Sequence, residues 1–207
     1  MSSFTADELN KIIASHELWL MGDTHGERAD LSHADLRGAD PRNANLRNAD
    51  LRCADLRGAD LRCSDLCEAN LRGANLSNAN LRNAYLCSAN LCYADLRGAN
   101  LSNADLHNAD LRNANLRNAD LSNADLCGAS CGTARMPKGW WCMDQRYLVH
   151  VCAEYIEIGC RKYTGTEWEA FSECKIAAMD PGALEWWKDF GVLVIGKWHE
   201  IKAGKDE

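Results

Sequence analysis

From Ala29 onward the chain repeats every five residues without an insertion, which leaves very few folds open to it. Ala29-Asp30-Leu31 is followed by Ala34-Asp35-Leu36, Ala39-Asp40-Pro41 and Ala44-Asn45-Leu46. The phase holds to Ala124-Asp125-Leu126 and fades through Ala129-Ser130-Cys131 to Ala134, about 22 units in all. Pro41 and Cys131 are the departures at the leucine position, and Ser64 once replaces the alanine. Such a period matches neither the roughly 3.6 residues of a helix nor the roughly 3.5 of a coiled coil. Ala and Leu, two apart, fall on one side of an extended segment, while the intervening Asp or Asn and the residue after Leu point the other way. Asn, Gly and Ser dominate the position two after Leu, and these are turn formers. The pattern therefore describes short extended segments, apolar side inward, joined by tight corners. Stacking the resulting coils buries the leucines and pairs the backbone of each coil with its neighbours.

On these residues the chain resembles the pentapeptide-repeat family, over roughly residues 26–135. The resemblance implies an all-β solenoid, a right-handed parallel quadrilateral β-helix in which four units make one square coil. About 22 units would then make about five and a half coils, a rod about 26 Å long at a strand spacing of about 4.8 Å. Leu46, Leu66, Leu86, Leu106 and Leu126 would form one interior ladder, with Ala44, Ala84, Ala104 and Ala124 beside it.

The same wrapping predicts outward columns one residue after each leucine. One carries Arg47, Cys67, Cys87, His107 and Cys127. The others are mostly arginine: Arg52, Arg72, Cys92 and Arg112; Arg37, Arg57, Ser77, Arg97 and Arg117; Arg42, Arg62, Arg82, Ser102 and Ser122. The Cys/His column is the odd one out, read either as a metal or redox strip or as a neutral face suited to a partner. No tetrahedral ligand spacing is visible, so no metal is expected. The eleven cysteines contain no C-x-x-C pair and are expected to be reduced, small filler.

Well-known members of the family imitate duplex DNA and bind type II topoisomerases, which makes gyrase a possible partner by resemblance. Charge argues against that role here. Asp precedes and Arg follows the leucine repeatedly, as in Asp50-Leu51-Arg52, and residues 26–135 hold about 13 basic and about 14 acidic side chains.

Both ends of such a rod expose apolar, unpaired coils that need covering. In residues 1–25, Thr5-Ala6-Asp7-Glu8 reads as a capping box opening a helix. Leu9, Ile12, Ile13, His16 and Leu20 then fall on one face, with Trp19 beside it. Gly22 and Gly26 end it, and His16 is expected to be a satisfied cap residue. Residues 136–207 break with the rhythm after Met136-Pro137-Lys138-Gly139 and hold six of the seven tryptophans. They predict a small α+β domain. Strands are expected over Arg146–Glu154 and Tyr155–Cys160, and a short helix from Thr164 or Thr166. A further helix should start at Asp180-Pro181, with helix or strand both open from Val192. Ile156-Glu157-Ile158-Gly159-Cys160-Arg161 with Thr166-Glu167-Trp168 resembles the tail of phage-encoded pentapeptide-repeat proteins, which implies a phage or prophage origin.

The formal net charge of −7 disfavours indiscriminate binding to nucleic acid or an anionic membrane. The longest apolar run, Val192–Ile195, is too short for a membrane span, and the N-terminus lacks the regions of a signal peptide. A cytoplasmic protein is expected, in the host bacterial cytoplasm if phage-encoded. The expected function is a non-enzymatic scaffold that sequesters or blocks a host protein or small signalling ligand, without cofactor, as a homodimer through its C-terminal domain. Cys67, Cys87, His107, Cys127, Arg47, Trp140, Trp141, Trp186 and Trp187 are the candidate contact residues. One alternative is a DNA mimic acting on gyrase. The other is an enzyme with Cys160 or Cys152 as nucleophile and His150 as base.

Overall fold

A computed structural model describes residues 4–137, 140–143, 147–151, 156–158, 161–179 and 182–203, with backbone alone at 141–143 and 147–148. The chain divides into two compact units, Met1–Lys138 with Cys142–Arg146, and Gly139–Trp141 with Tyr147–Glu207.

In the first unit, parallel bridges join residues twenty apart, from Asp30↔Asp50 to Asn115↔Arg135. Four units therefore complete each coil. At each step the inward residue donates its N–H to the next coil, as in Leu46 N–H to Asp65 O at 2.7 Å. The residue before the next leucine returns a bond, as in Asp65 N–H to Ala44 O at 2.9 Å. Pro41 has no N–H to donate, and Asp40↔Asp60 is missing from the ladder of bridges. The inward leucines are no more than 4 % exposed, so the interior is a stack of leucine layers with alanines between them.

Corners follow one rule. Every residue two after the inward position, from His33 to Gly128, has a positive φ. The N–H of the following alanine bonds back to the inward residue's carbonyl, as in Ala89 N–H to Leu86 O at 3.0 Å. A positive φ at the third position of a four-residue turn favours Gly and Asn, which explains their frequency there. The Asp or Asn before the leucine has a second task that its outward position did not reveal. Its side chain accepts the N–H of the residue after the leucine, as in Cys67 N–H to Asp65 Oδ1 at 3.0 Å and Ser77 N–H to Asn75 Oδ1 at 3.1 Å. This short-range bond satisfies the corner donor in each unit that carries it.

The N-terminal helix α1 runs Ala6–Leu20 and opens with the Thr5/Glu8 capping box. His16 is fully buried between helix and rod. Its Nδ1 accepts the Ala29 N–H at 3.1 Å, so its Nε2 carries the proton and donates to Arg47 O at 2.9 Å. Gly26 lies so close to the backbone of Leu18 and Trp19 that a Cβ there would collide with it.

Four strands after the rod form a sheet of order β1-β2-β3-β4: Trp140–Met143, Tyr147–Val151, Ile156–Ile158 and Arg161–Tyr163. β2, β3 and β4 are antiparallel, with Val149 opposite Ile158 and Ile156 opposite Tyr163. Helices α2 (Gly165–Ala170), α3 (Glu173–Ala177) and α4 (Ala183–Lys202) follow, and α4 packs on β2, α2 and α3. Thr164 caps α2 with Glu167 completing a capping box. The expected helix start at Asp180-Pro181 lies outside the described residues, and Gly182, at φ 88°, stands at the N-cap of α4. Residues 192–202 are helical, which removes the strand alternative: Trp186, Val194 and Trp198 face inward at helical spacing while Val192 and Leu193 face out. Among the described residues, no helix is long and apolar enough to cross a membrane.

Candidate functional site

Arginine after aspartate is chelated within its own unit. Arg37, Arg42, Arg52, Arg57, Arg62, Arg97 and Arg112 each pair with the Asp two residues earlier, with closest approaches of 2.6–2.7 Å. These bonds hold the carboxyls of Asp35 and Asp110 down at about 2. The rod surface is therefore a lattice of neutralised pairs over three of its four columns. The exceptions on the whole rod surface are arginines that follow Asn, namely Arg47, Arg72, Arg82 and Arg117, and aspartates with no Arg after them, such as Asp105, Asp120 and Asp125.

The fourth column differs from its expected chemistry. Cys67 and Cys87 are joined by a disulfide, which corrects the expectation of reduced filler at these positions. The physical reason is the coil spacing: residues twenty apart sit with Cα atoms 4.6 Å apart, inside the range a disulfide spans. Cys127 and Cys131 are also disulfide-bonded. Arg47, at the head of the column, reaches Glu68 at 3.2 Å and Asp65 at 3.6 Å. His107 is exposed, and its ring approaches Asp125 and Cys127, with ligand atoms of the three within 4.8 Å of one another. With the Cys127 sulfur in a disulfide, this trio offers two ligand atoms, short of the four of a structural zinc site.

Two of the four candidate tryptophans lie in the interior. Trp140 and Trp186 are buried, at 9 % and 2 % exposure, and are unavailable to a partner in this conformation. Indoles are large apolar bodies, and the small second unit uses them as its core. Trp187 is half-buried and stacks on Trp168 at 5.1 Å, with Gly191 leaving room for its ring. Trp141 contributes backbone to β1, and its side chain lies outside the described residues. His150 stacks flat on Trp140 at 4.2 Å, and burial, aided by Lys162, pushes its pKa down to about 4. Cys152 and Cys160, the candidate nucleophiles, lie outside the described residues.

Down a single corner of the rod, at twenty-residue steps, stand His33, Cys53, Gly73 and Tyr93. With Arg52 and Arg72 they line a depression of about 450 Å3. Reading the column two after each leucine, instead of one after, would have brought these four together.

A ladder of four-sided coils with leucine layers inside defines a β-solenoid. The pentapeptide repeat family model matches in 8 copies, over residues 27–62, 69–108 and 94–130, and the chain belongs to that family of quadrilateral β-helices. A pentapeptide repeat protein from Nostoc Pcc 7120 is 32% identical over 70% of this chain and 93% of its own, with a TM-score of 0.32. A pentapeptide repeat protein (Rfr23) from the cyanobacterium Cyanothece 51142 is 38% identical over 48% of this chain, with a TM-score of 0.34. QnrB1, a plasmid-mediated fluoroquinolone resistance protein, is 21% identical over 53% of this chain, with a TM-score of 0.33. The match spans 65% of the length of Rfr23 and 65% of that of QnrB1. No curated protein matches the chain.

Proposed function

We propose that the chain is a non-enzymatic binding scaffold, phage-encoded, that sequesters or blocks a host protein or small signalling ligand in the bacterial cytoplasm. Its N-terminal helix serves as a cap, and its C-terminal α+β unit as a dimerisation module. The observation that supports this most is the paired surface. Seven Asp/Arg pairs hold their own charges, so recognition falls to the places where the lattice is interrupted. A rigid rod with a few such interruptions suits selective binding, because little ordering is lost on association. The test is affinity capture on the full-length chain from bacterial lysate, with and without phage infection. Recovery of neither a protein nor a small ligand would count decisively against it. The same pairing works against a gyrase-directed DNA mimic, which needs rows of uncompensated carboxylates. A supercoiling assay with purified gyrase, unaffected at micromolar protein, is the expected result.

A further inference from the structure

We propose that the corner notch of His33, Arg52, Cys53, Arg72, Gly73 and Tyr93 binds a phosphate monoester carried on a planar ring, the chemistry of a nucleoside monophosphate. This rests on reading the protein as a binder rather than an enzyme, and it names one site and one ligand class. The notch exists because Gly73 breaks the corner column. A Cβ there would come 3.4 Å from Cys53 Sγ, so any side chain would begin to fill the gap below Tyr93. The resulting space of about 450 Å3 is a depression open to solvent, large enough to seat a small molecule and far larger than a lone ion needs.

Tyr93 forms one wall at an unfavourable backbone. Its φ is 61°, a left-handed conformation that bulky side chains avoid and that most sister corners give to Asn or Gly. Its ring is 58 % exposed, so core packing does not account for its presence. The Arg72 guanidinium lies over that ring, 5.3 Å from its centroid. Arg72 follows Asn70, not Asp, and only its backbone N–H bonds to Asn70 Oδ1, at 3.3 Å. Among the described residues no carboxylate pairs with it, whereas Arg52 on the coil below is held by Asp50 at 2.6 Å. A guanidinium laid against an aromatic face keeps its N–H edge in plane, ready for two-point contact with a phosphate. The Arg72–Tyr93 stack supplies a flat surface for a ring attached to that phosphate. Cys53, exposed and with its Sγ 3.9 Å from Arg72 O, lines the same space and reports on it.

The test uses full-length protein and AMP as probe, with inorganic phosphate and adenosine as controls. Calorimetry gives affinity, and the alkylation rate of Cys53, read by peptide mass spectrometry, gives location. AMP is expected to slow Cys53 alkylation at least threefold while Cys63, at another corner, is unchanged. Phosphate alone should protect more weakly, and adenosine hardly at all. Arg72→Gln, Gly73→Asn and Tyr93→Asn should each weaken AMP binding at least fivefold. Asn already occupies the left-handed corner at Asn83 and Asn103, so the latter two replacements suit the coil. No AMP binding at millimolar concentration overturns the inference, as does equal protection by adenosine or protection that survives Gly73→Asn. If AMP fails while lysate capture succeeds, this site falls and the scaffold reading stands; if capture fails while AMP binds, the reverse holds.

Discussion

Replacing His16 by leucine tests how the N-terminal helix is fixed to the rod. In the native chain His16 is 0 % exposed and uses both ring nitrogens, one accepting from Ala29 N–H and the other donating to Arg47 O. Leucine fills similar space but satisfies neither group. A buried donor left without a partner costs about 1–3 kcal/mol, and the part-buried Arg47 carbonyl adds less. The added apolar contact offsets a fraction, so a net loss of about 1–3 kcal/mol is expected from these costs. Urea unfolding at pH 7.5 measures it, and hydrogen exchange should show the loss at the Ala29 amide first. The effect must also depend on pH. Burial is the main cause that lowers the His16 pKa below its ordinary value. The folded state therefore binds fewer protons than the unfolded state as the imidazole range is crossed. His16 contributes its full stabilisation above the unfolded pKa of about 6.5 and loses it as pH falls below that value. The gap between wild type and His16→Leu should accordingly narrow at pH 5. His150 shifts in the same direction but is present in both proteins and cancels in the difference. A loss under about 0.5 kcal/mol, below any cost expected for a stranded buried amide, or a gap that widens on acidification, would refute this account of the junction.

Other expectations follow from the same geometry. Leu86, 0 % exposed in mid-rod, should cost about 2–5 kcal/mol when cut to alanine, measured by denaturant unfolding; a loss below about 1 kcal/mol would contradict a close-packed leucine stack. Cys67 and Cys87 should resist iodoacetamide until reduced, while exposed Cys53 and Cys63 label at once, as peptide mapping will show. The Asp110 carboxyl, held at about 2 chiefly by its bond to Arg112, should titrate well below an Asp110 in Arg112→Gln when followed by carboxyl NMR shifts. Because its folded pKa is depressed, its contribution is complete above the unfolded value of 3.8, including at neutrality, and disappears as pH falls through about 2, so it adds no pH dependence near pH ~7.

The solenoid was legible residue by residue because its rule is local. Each five-residue unit states its own inward leucine, its small alanine and its corner, and the twenty-residue ladder follows once four corners close a turn. The Asp/Arg pairs were legible for the same reason, since both partners lie in one unit. What the pattern could not express is contact between coils. The twenty-residue wrapping placed Cys67 beside Cys87 in one column, and the 4.6 Å approach of their Cα atoms is what lets the two side chains join as a disulfide. The notch is likewise a product of stacking, because Gly73 makes a gap only relative to Cys53 below and Tyr93 above. In the second unit the sequence offered tryptophans without saying which way they point. Helical phase answered that for α4: Trp186 and Trp198 turn inward while Val192 and Leu193 face out, although β-branched residues had left a strand open. The chain by itself thus settled a fold built from short-range repetition. Folding in three dimensions settled which side chains meet, because those meetings depend on distances between residues that the sequence keeps far apart.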